Sequence, residues 1–261
     1  MLTSTSGAGL VAFLAVCASP WLAAAGDAAP AAPQPAPTAT AAATPAKAAQ
    51  PVRSLRYHVD FALAASSQTT NYYGSNLDTG RVNNHTHGSI DASVLGFAPD
   101  MSLVVAVSES MDQRSAPAVT ATVFKDGFWT YDPKYAANVN DEETALLSLL
   151  GRAIVADHDL GPGVTWTDVH NAPNLTDTAT YVVDSLVGDD SVDLHVERAV
   201  TVTGPQPYDS VVKGSVRYNY KRSIPISAHL TERVHTHDNG QLATTDMWFD
   251  YALEHDSLSS S

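Results

Sequence analysis

The chain has 261 residues and a formal net charge of −14, because 28 acidic side chains outnumber 14 lysines and arginines. Binding to nucleic acid phosphates needs clustered basic residues, and the few present here are scattered, so nucleic acid is excluded as an expected partner. The single cysteine lies at position 17, which leaves the rest of the chain without disulfides or zinc–thiolate sites.

The first 25 residues have the pattern of an export signal. An apolar run from Leu10 to Ala25 ends in small alanines, which suit signal peptidase, and we expect cleavage after Ala25. The run is shorter than the roughly 20 apolar residues that a membrane-spanning helix needs. The sequence therefore predicts a secreted or periplasmic protein, exported through a signal peptide.

Cys17 could serve as a lipid attachment site within this segment. It follows Leu14-Ala15-Val16, which is similar to the lipobox of bacterial lipoproteins, in which the cysteine is acylated after cleavage. Val16 departs from that motif, because a small residue is usual at its position. We therefore favour an ordinary apolar role for Cys17 in the signal and keep lipoprotein anchoring to the envelope as the alternative.

Composition divides the remainder of the chain into three parts. Residues 26–51 are mostly Ala, Pro, Thr and Gln, with too little large apolar surface to order the chain, and predict a disordered linker. Residues 52–256 have the length and pattern of a single β-rich domain. Residues 257–261 form a short polar tail that we expect to be disordered.

Alternating apolar and polar residues predict antiparallel strands through the first half of this domain. The clearest strand is 55–64, in which Tyr57 and Phe61 lie on one apolar face. A polar loop is expected over 66–80, and the turn Asp126-Gly127 predicts a hairpin. The other strands predicted in this half are 82–97, 101–111, 119–125 and 128–131.

One amphipathic helix is predicted over 141–155, between the two halves of the strand pattern. Asn140 and Glu143 have the spacing of a capping box, and Leu146 and Leu149 share an apolar helical face. The expected fold class is mainly β, an antiparallel meander forming a curved sheet or half-barrel of about ten to eleven strands with this one helix. The strands predicted after the helix are 164–170, 178–187, 192–202, 211–221, 226–237 and 241–253.

The last hairpin has a register that the sequence predicts in detail. Asn239-Gly240 favours a two-residue turn, which places Arg233 opposite Asp246 and His229 opposite Asp250. A three-residue turn would flip one strand and break both pairs, so we predict the two-residue register. The side chains that it brings together on the opposite, apolar face are Leu230, Val234, Met247 and Phe249.

Three stretches give the domain a resemblance to a known family: Lys125-Asp126-Gly127, residues 160–166, and residues 213–218 followed by Ile224-Pro225-Ile226. Together with the order of strands, helix and strands, they resemble the half-barrels of periplasmic lipoprotein carriers (LolA/LolB-like) and related bacterial envelope proteins. The resemblance implies an antiparallel sheet around an apolar cavity that the helix partly closes. Such a cavity would suit an acyl chain or another hydrophobe.

The leading functional hypothesis is a non-enzymatic, exported β domain of the bacterial envelope or extracellular space that binds a lipid or other hydrophobic ligand. No spacing of nucleophile, base and oxyanion donors identifies a reaction, so no catalytic residue is assigned. Trp129, Trp166 and Trp248 are the candidate ligand-facing residues, the alternative being ordinary core positions. A structural or protein-interaction module is a further alternative.

Two histidine pairs at i, i+2 spacing give a different hypothesis, a metal site. His85 with His87, and His235 with His237, can each project from one face of a strand, where imidazoles bind divalent metals. The first pair resembles the metal strand of a cupin, with Asp91 in the place of the acid, although the intervals to the flanking glycines differ. This hypothesis predicts a metal-binding protein or a metal-dependent enzyme. Otherwise we expect no cofactor, and solvent-facing histidines.

Overall fold

The computed structural model describes residues 50–70, 76–112, 114–151, 153–156, 158–204, 207–238 and 241–258. The predictions for the export signal, for Cys17 and for nearly all of the linker lie outside these residues, as do those for Asn239-Gly240 and for most of the tail. None of the described helices is long and apolar enough to cross a membrane.

Within the described part of the chain, eleven strands form one antiparallel sheet with the spatial order 5-4-3-2-1-11-10-9-8-7-6. The first and last strands are neighbours in the middle of the sheet, and the fifth and sixth are its two edges. The predicted mainly β meander is therefore confirmed, and the sheet is not closed into a barrel. The strands are β1 Arg53–Thr70, β2 Asn76–Phe97, β3 Leu103–Met111, β4 Arg114–Val123, β5 Trp129–Tyr131, β6 Thr165–Ala172, β7 Leu175–Val187, β8 Ser191–Val202, β9 Tyr208–Asn219, β10 Ile224–Asp238 and β11 Gln241–Asp256.

The inner face of the sheet, which carries Tyr57, Ile90, Val107, Leu194 and Phe249, is the hydrophobic core. These side chains are fully buried, as the alternation of each strand predicts. The rings of Phe61 and Phe249 lie 5.3 Å apart between β1 and β11. Burying each large apolar side chain contributes roughly 1.5–3 kcal/mol, so this one-sided pattern fixes which face of every strand points inward.

The register predicted for the β10–β11 hairpin is confirmed. Arg233 is the partner of Asp246 and His229 is the partner of Asp250. Both acid–base pairs are exposed on the outer face, the side of the sheet opposite the core. The four apolar residues predicted for the other face, Leu230, Val234, Met247 and Phe249, are all buried.

The predicted helix forms, but in two pieces. Helix α1 spans Asp141–Leu149 and α2 spans Ala153–Ala156. The interruption contains Gly151, which packs so closely on Gly127 of the β4–β5 turn that a Cβ at position 151 would lie 2.5 Å from the Gly127 Cα. A 3₁₀ helix, Pro133–Asn138, precedes α1 and was not predicted. The backbone contact between the turn and the helix explains why the helix cannot continue unbroken.

The polar loop predicted over 66–80 is wrong for residues 66–70 and 76–80, and its middle, 71–75, lies outside the described residues. Strand β1 continues to Thr70 and β2 begins at Asn76, with pairs such as Ser66 with Arg81 along the ribbon. Ser66 also pairs with Thr244 of β11, so main-chain hydrogen bonds support this part of β1 on both sides. A strand paired on both sides does not need an apolar face to form, which is why composition misled the prediction here.

The sheet is strongly curved, because groups from its two edges meet. The ring of Phe128, just before β5, stacks on the ring of His170 in β6 with centroids 3.6 Å apart. Strands β5 and β6 are the opposite edges of the sheet, so this stack requires the sheet to bend round on itself. Helix α1, Asp141–Leu149, lies over the inner face of this curved sheet, where it contacts β3 and β11.

Candidate functional site

Helices α1 and α2 cover the inner face of the sheet with apolar side chains. All six of the residues concerned are buried in the same core as the strand side chains; they are Leu146, Leu147, Leu149, Leu150, Ile154 and Val155. These helices contribute no strand pairing, so the sheet's main-chain hydrogen bonds do not depend on them. The interface between the two helices and the inner face is the candidate functional site.

Two buried tyrosines tie α1 to the sheet. The hydroxyl of Tyr251 in β11 donates a hydrogen bond to the backbone oxygen of Glu142 at the start of α1, at 2.8 Å. The hydroxyl of Tyr218 in β9 donates to the backbone oxygen of Leu149 at its end. Burial raises the pKa of both phenols well above the usual value, so both hydroxyls stay protonated and can donate. Each of these two bonds thus ties one end of α1 to the sheet.

An acid cluster lies where α1 begins, formed by Glu109 of β3 with Glu142 and Glu143 of α1. Arg114 of β4 donates to Glu109 at 2.7 Å and also to Glu142. Asn140 donates through its side chain to Glu109 at 3.3 Å and through its backbone N–H to Glu143 at 3.2 Å. The second of these bonds is half of the predicted capping box, which is confirmed. Three carboxyl groups therefore share one guanidinium.

Burial dominates the electrostatics of this cluster. It raises the pKa of Glu142 to about 7, an effect that Glu109 adds to and Arg114 opposes. It likewise raises the pKa of Glu143 to about 7, with the Asn140 N–H opposing the shift. Within the described residues, Oε2 of Glu109 and Oε1 of Glu143 are buried and accept no hydrogen bond. The cluster thus has two empty acceptor positions in a region shielded from water.

A small cleft with a cavity volume of about 10 Å³ opens beside β6 and β7, near the contact between the sheet edges. One of its walls is a pair of Asp177 with Arg198, in which the guanidinium Nε and Nη2 each donate to one carboxylate oxygen. Asp168 lies in the same cleft, and burial raises the pKa of its carboxyl group. The cleft is far smaller than an acyl chain needs, so we assign it a structural role in closing the gap between the edges.

The three candidate tryptophans do not line one surface. Trp166 is buried on the inner side, between Tyr181 and His158, with ring centroids at 5.5 Å and 4.3 Å. Trp129 is half-buried against the core and stacks on Tyr131. Trp248 is exposed on the outer face, between Ala62 and Thr231 of the neighbouring strands. A ligand on the inner face could contact the first two tryptophans but not the third.

The two histidine pairs are also separated. His85 and His87 are exposed on the outer face of β2, and β1 and β11 lie between that strand and β10, which carries His235 and His237. Three strand spacings of about 4.8 Å put the pairs some 14 Å apart across the sheet, before any offset along the strands. His87 faces Asp112 at 2.8 Å. Among the residues described, no group of three or more His, Cys, Asp or Glu side chains could hold a metal ion. The four histidines therefore do not share one site, and metal binding stays a prediction.

Sequence reasoning missed most of the site. Glu143 was identified only as a cap, and Glu109, Glu142 and Arg114 were not singled out. The sequence did contain an indication that Glu109 is buried. It lies two residues after Val107 and two before Met111, at a position of β3 where the alternation predicts an inward-facing apolar side chain. An acid at an inward position of a strand is rare enough to mark a buried polar site.

No protein-family model and no curated protein matches this chain. The fold and the candidate site are therefore interpreted from their own geometry.

Proposed function

We propose that this chain is an exported binding domain of the bacterial envelope or extracellular space that carries a hydrophobic ligand, such as an acyl chain, on the inner face of its sheet. In this proposal α1 and α2 act as a removable cover, and the ligand takes the place of their leucines. The protein would then bind and carry its ligand without chemical change.

The observation that carries the proposal is how the cover is attached. Its six apolar side chains pack on the inner face, whereas within the described residues its hydrogen bonds to the sheet are made by side chains. These are the bonds of Tyr218 and Tyr251, and the Arg114–Glu142 and Asn140–Glu109 bonds at the start of α1. A ligand can displace the cover while every strand pair stays intact, because the helices belong to no ladder. A cover that can leave without unfolding the sheet is what a carrier requires.

Magnitudes support an exchange of this kind. Exposing six buried leucine-sized side chains costs of order 10 kcal/mol, which keeps the cover closed when no ligand is bound. Burying a twelve-carbon chain returns about 0.8 kcal/mol per CH₂ group, again of order 10 kcal/mol. Closed and ligand-bound states are then close in free energy, so a hydrophobe of this length could open the cover.

The test removes the two ties without changing the apolar lining. Tyr218→Phe and Tyr251→Phe each delete one hydroxyl, and we expect each variant to bind the neutral dye N-phenyl-1-naphthylamine at least threefold more tightly than the wild type, with dodecanol displacing it. The matched control is Tyr57→Phe, because the Tyr57 hydroxyl is equally buried but bonds to Pro225 O of the sheet, at 3.0 Å. Losing one such bond costs roughly 1 kcal/mol, enough for this change in affinity.

The outcomes separate the hypotheses. Tighter binding in both cover variants and unchanged binding in Tyr57→Phe support a carrier with a removable cover. No dye uptake by any of the four proteins, at concentrations up to the solubility of the dye, overturns the carrier and favours an interaction module. Equal gains in all three variants would mean that the dye reports general loosening, and would also contradict the proposal.

A further inference from the structure

The acid cluster at the start of α1 suggests what kind of head group the ligand has. Glu109, Glu142 and Glu143 can bring three negative charges to a site where, among the described residues, Arg114 is the guanidinium that pairs with them. The side chains of Glu109 and Glu142 are at most 1 % exposed, and Glu143 is 0 % exposed. Two of the six carboxyl oxygens accept no hydrogen bond within the described residues. In a site that excludes water, such oxygens are stable only when a proton or a hydrogen-bond donor reaches them.

The cluster adjoins the apolar interface where the proposed ligand would lie. Glu142 and Glu143 occupy the first turn of α1, and the buried Leu146 and Leu147 follow in the next turn. Glu109 lies on β3 beside the buried Val107 and Met111. A molecule with one apolar chain could therefore contact the apolar interface and the acid cluster at once.

The surroundings reinforce the negative sign. Glu232 of β10 also points to the inner side of the sheet. Burial and the charge of the neighbouring Asp141 raise the pKa of its carboxyl group, and the hydrogen bond from Ser210 opposes this shift. Arg198, another buried cation, already donates through Nε and Nη2 to the two carboxylate oxygens of Asp177. An anionic head group would meet carboxylates at this end of the helix, whereas a cationic one would be attracted.

We propose that the ligand is a cationic amphiphile, whose ammonium-type head group donates to the free oxygens of Glu109 and Glu143 while the first turn of α1 stays in place and the apolar chain replaces the leucines that follow it. This inference rests on the proposed carrier function, since it assigns the head group of the same ligand. Hydrogen bonds between charged partners in a dry site are about twice as strong as neutral ones, which predicts a preference of at least tenfold.

The competing account is that protons alone occupy the free oxygens. The two accounts differ in their dependence on pH. As the pH rises through 7, Glu142 and Glu143 ionise, so a cationic ligand binds more tightly, whereas the account with protons alone predicts no such gain. The titratable groups that face the cluster from the packed elements are Arg114 on β4, Asp141 on α1 and Tyr251 on β11.

The experiment compares three ligands with the same twelve-carbon chain: dodecylammonium, dodecanol and dodecanoate. Each displaces N-phenyl-1-naphthylamine from the full chain at pH 8 in 0.15 M NaCl, below its micelle concentration. We expect dodecylammonium to compete at a concentration at least tenfold below that of dodecanoate, and about tenfold more weakly at pH 5 than at pH 8. The salt screens binding to the acidic outer surface.

Substitutions test whether the preference for dodecylammonium comes from the acid cluster. Glu109→Gln and Glu143→Gln should each reduce the advantage of dodecylammonium about tenfold, whereas Glu254→Gln, which removes the same charge from the exposed outer face, should leave it unchanged. If Glu109→Gln fails to fold because Arg114 loses one of its two charged partners, Glu143→Gln decides, since a glutamine still accepts the Asn140 N–H.

Each result has one meaning. If none of the three ligands displaces the dye, the carrier function itself is wrong. If all three compete equally, the carrier stands and the cationic head group is overturned. A preference for dodecylammonium that persists in both cluster variants would assign it to the outer surface, and would also overturn the inference.

Discussion

Glu143 is fully buried, yet one oxygen of its carboxyl group accepts no hydrogen bond within the described residues. Its pKa of about 7 in the folded protein lies above the reference value of 4.5, because burial disfavours the charged form. Between about pH 4.5 and pH 7 the unfolded chain therefore releases protons that the folded protein retains. The stability that this residue contributes is complete below that window and is lost as the pH rises through it.

Glu143→Gln should remove this loss. We expect the variant and the wild type to have similar free energies of unfolding at pH 4.5, and the variant to be about 1–3 kcal/mol more stable at pH 8, since an amide cannot ionise. Urea unfolding at the two pH values, followed by circular dichroism, measures the difference. The control is Glu254→Gln, on the exposed outer face, which should change stability little at either pH.

For single residues, the sequence predicted which face of the sheet a side chain lies on better than it predicted which residue that side chain bonds to. The inward placement of Tyr57, Phe61 and Phe249 follows from alternation alone, because each neighbouring side chain points to the opposite face. The bond from Tyr218 to Leu149 could not be predicted in the same way. It joins residues far apart in the chain, and it depends on where α1 lies over the sheet, which no local pattern specifies.

The β4–β5 turn and helix α1 are packed together at one glycine. Gly127 has φ of +83°, and a Cβ there would lie 2.5 Å from the backbone oxygen of Ser148 in α1. Gly163, in the turn before β6, has the same φ of +83° but open space around its Cα. The two glycines thus share a backbone conformation and differ in whether a helix lies against them.

Alanine at these two positions should separate backbone strain from packing. Gly163→Ala pays only for a left-handed conformation, about 1–2 kcal/mol. Gly127→Ala has the same strain and also pushes on α1, so we expect it to cost at least about 1–3 kcal/mol more. Free energies of unfolding from urea titration give both numbers. Equal losses in the two variants would mean that the turn does not support the helix as the geometry indicates.

At the level of elements, strands were predictable and interruptions were not. The strand pattern and the Arg233–Asp246 register follow from two-residue periodicity and turn chemistry, which are local. The break in the helix at Gly151 follows from its contact with Gly127, a residue of another element. Likewise, β1 extends through Ser66 because strands on both sides pair with it, which the composition of that segment does not reveal.

The whole sheet is joined at one seam, where β1 pairs with β11. Strands β2–β5 extend from one side of this seam and β10–β6 from the other, so the two meanders form a single sheet through this pairing. Asp256 lies at the end of the seam with its side chain 1 % exposed. Its carboxylate accepts bonds from Arg53 at 2.9 and 2.7 Å and from Arg222 at 2.8 Å.

The charge of Asp256 is well supported in the folded protein. Burial would raise the pKa of its carboxyl group, but the Arg53 hydrogen bonds, the Leu258 N–H and the charges of the two arginines together hold it below the usual value. Two strands and the β9–β10 turn thus meet at one ionised group, because Arg53 also donates to the backbone oxygen of Arg222, at 2.9 Å.

Asp256→Asn should therefore weaken the molecule as a whole. Removing one partner of a buried ion pair leaves the others unpaired, and we expect a loss of about 3–5 kcal/mol in the free energy of unfolding. The matched control is Asp91→Asn, which breaks the pair of Asp91 with Arg56 between β1 and β2. Both of these side chains are about half exposed, so its loss should stay below about 1 kcal/mol. Urea unfolding of both variants measures the two losses. Comparable losses would mean that the contacts of Asp256 do not hold the two meanders together at the seam. The helical cover would then contribute more to holding them together than these contacts do.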